Sequence, residues 1–318
     1  MKCKIFVSHR IDNNSVIIKN DIFTPVYCGS VFKNKKNKYN NDILDDNIGD
    51  NISKLRSVLG ELTVEYWAWK NVVSDFYGLC HYRRYFAYSD FSGLRNEQNQ
   101  IYLGDLNEYN IAKYKIGDIK EVNRLCMNYD VIVPEAASTQ NIVSPKGKVN
   151  NVLELWQAHE GIFFEKNILH VFLNILEEND NEFFKIALSY LHSKQHIGYN
   201  CYLMKKEYFY ELCNKQFYIL NEVVNSKEYK ETRYKYPRTL GYLGEIVFGC
   251  YIYKLIKENK VNIHYLPLIM FENTEKNKIS FLALKNFYRY FLKSLYLRFN
   301  YNTRVFVKNI YYKMKKER

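Results

Sequence analysis

The apolar run Phe76 to Cys80 ends abruptly in His81, Tyr82, Arg83, Arg84 and Tyr85, within the stretch DFYGLCHYRRYF from Asp75 to Phe86. One imidazole, two guanidinium groups and two phenols offer many hydrogen-bond donors and almost no negative charge. Guanidinium pairs bidentately with phosphate oxygens and keeps its charge at any working pH, so the cluster suits a phosphate or pyrophosphate. The pattern is that of a buried strand delivering polar groups to its C-terminal end, where open α/β sheets bind their ligands. Solvated arginines at a strand end are the plain alternative.

Other residue types with chemical potential lie at a few points along the chain. KIFVS at 4 to 8 reads as a first strand entering the polar pair His9 and Arg10. DDNIGDNIS at 45 to 53, with Asp50 and Asn51, is a carboxylate-rich turn that can cap a helix. Asp130 opens the apolar strand DVIVP and is equally a turn residue. His159 and Glu160 fall beside Gly161, at a break between two helical patterns, where a lone histidine is usually structural. In PRTLGYLGEIVFG, Arg238, Tyr242, Glu245 and Gly249 follow four-three-four spacing. On a helix that spacing sets a cation, a phenol and a carboxylate in line, with an Arg–Glu surface pair as the alternative.

These groups need elements to hold them. Leu55, Leu59, Leu62, Tyr66, Trp69 and Val73 recur at helical steps and predict one buried face, leaving Glu61 and Glu65 on a solvated one. Helices are also expected over 118–128, 152–177 in two pieces, 180–192, 205–224 and the segment after Pro237, and strands over 21–30, 198–204 and 261–270. The polar residues 87–117 read as a mobile connection over a site. Strands alternating with helices argue for an α/β protein with a mostly parallel central sheet. The compact domain should close near Glu272, giving 1–272 and a separate tail, 273–318.

Composition narrows the function. Seven scattered cysteines without CxxC spacing argue for a reducing compartment and against a disulfide framework or a zinc site. The opening MKCKIFVSHR is neither signal peptide nor anchor, and no apolar run approaches the ~20 residues of a spanning helix. The expected location is therefore cytoplasmic. Net charge is +12, and from Lys276 onward twelve Lys and Arg face a single acid, Glu317. On a helical wheel of 281–299, Phe281, Leu284, Phe287, Tyr288, Phe291, Leu292, Leu295 and Phe299 share an arc, while Lys285, Arg289 and Lys293 line another. A basic amphipathic helix fits an anionic lipid surface; docking on the protein's own core is the alternative. RNA binding is a weaker reading, since no RNP motif is present. GxGxxG, Walker A, HExxH, GxSxG and a strand-terminal Asp-x-Asp are all missing, so no metal ligands are assigned.

KIFVSHR, DNIS, ELTVEYWAWKN at 61–71, GLCHYRRYF at 78–86, DVIVP and RTLGYLGE at 238–245 together resemble the bacterial family DUF4422, found among capsular and exopolysaccharide biosynthesis proteins. The resemblance implies a GT-A-like glycosyltransferase using a nucleotide-sugar donor, UDP-sugar first, and a lipid-linked saccharide acceptor, peripheral on the inner face of the membrane. It makes His9, Arg10, Asp50 and Asn51 donor-side candidates for the nucleoside. His81, Arg83 and Arg84 then stand where metal-binding acids stand in ordinary GT-A enzymes, which suggests metal-independent transfer with fixed cations offsetting the leaving-group charge. Glu245 is the first candidate base and Asp130 the second, with Arg238, Tyr242 and His159 on the acceptor side. A non-catalytic phosphate-binding assembly protein of the same pathway is the competing class.

Overall fold

The computed structural model describes residues 1–34, 39–232, 235–276 and 281–316. Residues 35–38, where the run of Lys and Asn reads as a loop, and the side chain of Phe281 on the expected tail arc, lie outside the described residues.

The strands are β1 (Cys3–Arg10), β2 (Phe23–Cys28), β3 (Leu44–Asp45), β4 (Phe76–His81), β5 (Arg84–Phe86), β6 (Ile101–Asp105), β7 (Val131–Pro134), β8 (Ala137–Ser138), β9 (Gln195–His196), β10 (Tyr202–Lys205), β11 (Ile263–Leu266) and β12 (Leu268–Asn273). The helices are α1 (Arg56–Leu59), α2 (Leu62–Asn71), α3 (Glu108–Lys113), α4 (Ile119–Asn128), α5 (Val152–His159), α6 (Ile168–Asn179), α7 (Asn181–Leu191), α8 (Lys206–Asn225), α9 (Lys227–Thr232), α10 (Thr239–Glu258), α11 (Phe281–Arg298) and α12 (Tyr301–Lys316).

The main sheet runs β11-β7-β10-β4-β1-β2-β3. Its pairs β1–β2, β1–β4, β2–β3 and β11–β7 are parallel, and β10 alone is inserted antiparallel between β4 and β7. The mixed α/β architecture is thus the expected one. β12 leaves the main path to pair with β5 and β6. Pro267 separates β11 from β12, so the expected single strand over 261–270 is two strands in different parts of the sheet.

Alternate residues of the central strands enter opposite cores, as a pleat requires. Phe6, Tyr77, Leu79, Val131, Val133, Tyr202 and Met204 pack with the helices α2, α6, α7, α8 and α10. Ile5, Val7, Phe76, Cys80, Ile132 and Leu203 face the second core, with α4 and the β5–β12 strands. A sheet buried on both faces explains why its strands read as continuous apolar runs.

Three expectations fail. The helix expected through 55–73 is broken at Gly60, whose φ of +59° is left-handed, and Leu55 and Val73 are exposed, Val73 at 72%. The "mobile" segment 87–117 contains β6 and α3 and is packed into the second core through Ile101, Leu106, Tyr114 and Ile116. Residues 198–201 are not strand, because Tyr199 (φ +75°) and Asn200 (φ +45°) are both left-handed.

Candidate active site

β4 turns back into β5 through Tyr82 and Arg83, with His81 opposite Arg84. This tight hairpin splits the two arginines. Arg83 turns toward β12, donating from Nε to the Phe271 carbonyl at 3.3 Å. Arg84 turns the other way, its guanidinium 5.5 Å from the Tyr199 ring centre and its buried Nε without a protein partner among the described residues. His81 follows Tyr77 and Leu79 in the pleat, so its ring enters the layer of α2 and α10. Burial, then Arg84 and Arg83, hold its imidazole well below the usual range, and its buried Nδ1 has no partner among the described residues. His81 is therefore a neutral donor–acceptor between fixed cations.

Opposite stands Glu245 of α10. Burial first, and then the Glu61 carboxylate, push its carboxyl up to about 7, against the lowering effect of Arg84 and of the Tyr199 N–H, which donates to Oε2 at 3.4 Å. The next residue, Asn200, is 2% exposed and donates from Nδ2 to Glu61 Oε1 at 3.1 Å. Two successive left-handed non-glycine residues cost roughly 1–3 kcal/mol each and persist where their surroundings over-determine them, often at functional sites. Here the bonds to Glu61 and Glu245 supply that constraint. Arg238 caps α10 and pairs with Glu61 at 3.6 Å rather than with Glu245.

Glu61 and Glu65 correct the expectation of a solvated face. Glu65 is 2% exposed, accepts from Tyr202 Oη and Gln216 Nε2 at 2.5 Å each, and has its carboxyl raised to about 7 by burial. Both sit in the first turn after the Gly60 break, where a helix N-terminus favours carboxylates.

A cavity of about 310 Å³ opens beside Glu245. Tyr242, His159, His196 and Tyr199 line it with Trp156, Phe163 and Phe164, and Lys308 of α12 reaches its wall. His159 Nδ1 is tied to the Leu155 carbonyl at 2.8 Å, and burial lowers its pKa. Burial also pushes His196 down to about 4, with Tyr190 Oη 3.3 Å from its Nδ1. Gly249 completes the wall indirectly: a Cβ there would lie 2.6 Å from the Ile197 carbonyl, so only glycine lets this turn cross α10.

The remaining candidates divide. His9 is fully buried beside Tyr82, its Nδ1 2.7 Å from Ser15 Oγ and its Nε2 without a partner among the described residues, and burial pushes it down to about 3. Arg10 is exposed and engages Asp12, which also takes Arg56. Asp50 and Asn51 are not brought to this end of the sheet. Asp50 bonds with Tyr66 and Asn71 in the far half of α2, and Asn51 bonds to Gly49 and Ser53. The buried carboxylate of that turn is Asp46, which accepts from Gly29 N, Ser30 N, Ser30 Oγ, Ser53 Oγ and Thr63 Oγ1. Asp130 is likewise remote. It pairs with Lys205, level with Phe76 in the register, five residues along β4 from His81 or ~16 Å at 3.3 Å per residue. That removes it as an alternative base.

Sequence reading missed Glu61, Tyr199, Asn200, His196 and Lys308. Gly60 before two glutamates four residues apart was the available signal for the first; the others reach the site by tertiary placement alone. Among the described residues, no group of three His, Cys, Asp or Glu could hold a metal ion.

The fold is shared with a solved structure titled "WbbM bifunctional glycosytransferase apo structure", at a TM-score of 0.74 and 21% identity. The match covers 86% of this chain but 46% of that one, so the chain spans about half its neighbour's length. No curated protein matches the sequence. The architecture is thus GT-A-like. Residues 4–259 match the family model described as "Domain of unknown function (DUF4422)", and the chain belongs to that family.

Proposed function

We propose that the protein is a glycosyltransferase that moves a sugar from a nucleotide-sugar donor, a UDP-sugar first, to a lipid-linked saccharide acceptor in bacterial capsule, exopolysaccharide or lipopolysaccharide synthesis. The observation that carries this reading is one juxtaposition: Glu245, a carboxyl raised to about 7, faces a cavity whose Tyr199 wall also carries the Arg84 guanidinium. A departing nucleoside diphosphate gathers negative charge that preorganised donors stabilise. Arg84 and neutral His81 meet that need, with Arg83 adding charge from the β12 side. Glu245, ionised, accepts the proton of the acceptor hydroxyl as that oxygen bonds to the anomeric carbon, and a pKa near the working pH suits that task. His9, fully buried at the end of β1, supports the donor side from behind, whereas Tyr242, His159 and Arg238 serve the acceptor side.

The tail supports a place at the membrane's inner face. Leu284, Phe287, Phe291, Leu292, Leu295 and Phe299 form one exposed stripe, Phe287 at 62%. The opposite face docks, with Tyr290 against Tyr102 and with Tyr296 and Leu297 buried. No helix among the described residues is long and apolar enough to cross a membrane.

The test is incubation with UDP-, GDP- and CMP-sugars, reading slow donor hydrolysis and thermal shift, with and without EDTA. Hydrolysis of one donor class, insensitive to EDTA, is expected. Nucleotide stabilisation with neither hydrolysis nor transfer would make the protein a binder, and loss in EDTA restored by Mn²⁺ would replace the arginines with a metal.

A further inference from the structure

Glu97 belongs to the segment that follows β5, and its side chain has no exposed surface. Four groups of the C-terminal helices converge on it. Tyr296 Oη donates to Oε1 at 2.5 Å, Lys308 Nζ donates to Oε2 at 2.6 Å, and Arg304 Nη1 lies 3.7 Å from Oε1. Lys293, over the Tyr296 ring at 4.7 Å, feels the same carboxylate. Arg304 and Lys308 thus share one acid, and Lys293 stands between Glu97 and Glu272, so positive charge exceeds negative at Glu97. A Tyr–Lys–Glu pin alone would need one cation.

Lys308 is the member that reaches the acceptor cavity. An ammonium carries three N–H donors. Two are used, on Glu97 and on the Val143 carbonyl at 2.8 Å. The third remains for the cavity, beside the apolar wall of Ile142, Val143, Leu155 and Trp156. The exposed stripe lies on α11 and Lys308 on α12, so a lipid-borne group and this ammonium are presented by consecutive helices.

We propose that Lys308, with Glu97 as its anchor, is an anion subsite of the cavity that takes a phosphate group attached to the acceptor. This rests on the glycosyltransferase reading above and deepens it, by naming what on the acceptor the cavity recognises. The site is distinct from Arg84 and His81, which serve the donor.

Trp156 lines the cavity and reports on binding through its fluorescence. The full chain is titrated with farnesyl diphosphate, with farnesol and with inorganic diphosphate. Farnesyl diphosphate should bind more tightly than farnesol, and Lys308→Met should cut that preference by roughly tenfold, as loss of a charge-assisted hydrogen bond does. Lys308→Arg should retain most of it. Glu97→Gln removes the competing negative charge and should tighten farnesyl diphosphate, an opposite effect that misfolding would not produce. Tighter binding of inorganic diphosphate than of farnesyl diphosphate would assign the subsite to a soluble phosphate. An unchanged preference in Lys308→Met, or none in the wild type, overturns the proposal. Donor hydrolysis by the wild type is measured in parallel, so failure of the glycosyltransferase reading shows separately.

Discussion

Glu61→Gln should shift the acid limb of the pH–rate profile downward by about one unit. Asn200 Nδ2 lies 3.1 Å from Glu61 Oε1 and Tyr199 N lies 3.4 Å from Glu245 Oε2, so adjacent residues bridge the two carboxylates. A bridge of that length sets them roughly 8 Å apart, and at an effective dielectric constant of about 20 their repulsion is about 2 kcal/mol, or about 1.5 pH units. Arg238 and Arg84 act on Glu245 in both proteins and cancel in the difference, so about one unit is a lower figure for the shift. Burial remains the larger cause of the raised Glu245 carboxyl and is untouched by the substitution. Glutamine keeps the carbonyl that Asn200 needs, so the left-handed turn should hold. The assay is kcat/KM for release of nucleotide from the sugar donor between about pH 5 and 9. A base with a pKa of about 7 is about one-tenth ionised at about pH 6, and lowering that pKa by about one unit raises the ionised fraction roughly fivefold. The variant should therefore gain relative activity in acid while its plateau changes little. An acid limb that stays where it was would refute either the role of Glu245 or its coupling to Glu61.

Glu245→Gln should lower kcat by roughly 10²-fold or more while leaving nucleotide affinity, measured by calorimetry, intact. Arg84→Ala should weaken nucleoside diphosphate binding more than nucleoside monophosphate binding, because the charge it meets lies on the second phosphate. Asp46→Asn should cost about 3 kcal/mol and lower the melting temperature by roughly 4–5 °C, since five donors lose an ionic acceptor. Glu65 binds its proton more tightly folded than unfolded, so its stabilising contribution is present in acid and lost as pH rises through about 7; Glu65→Gln should remove that slope from the pH dependence of the melting temperature. Phe287→Ser with Phe291→Ser should reduce sedimentation with phosphatidylglycerol vesicles without lowering thermal stability, because both side chains are exposed.

The parts of the fold legible in the sequence were those governed by local periodicity. β1, β4, β7, α4, α8 and α10 fall where apolar spacing put them, because a buried strand or helix face repeats within a few residues. β12 was illegible as a separate strand, since its partners β5 and β6 come from about 170 residues earlier. The site divides in the same way. His81 and Arg84 announce themselves at the ends of strands, and Glu245 by its helical spacing from Arg238 and Tyr242 in α10. Asp50 and Asp130 looked equivalent to them as residue types, but a strand has two ends, and only topology says which one a carboxylate occupies. Glu61 was misjudged because a helical wheel gives polar residues to solvent, whereas here the helix begins inside the site.

The reversed direction of β10 has a consequence for how this protein can change. Because β10 runs against β4, its first residues arrive where β1 and β4 finish, so Tyr199 and Asn200 enter the site from a segment that contributes nothing to the β4–β5 hairpin. On the proposed reading, the groups that meet the leaving diphosphate and those around the receiving hydroxyl come from separate stretches of chain. On that reading the cavity wall of α5, which belongs to neither the hairpin nor the Tyr199–Asn200 turn, can vary while His81, Arg84 and Tyr199 stay fixed, so acceptor range would diversify with the donor chemistry held constant.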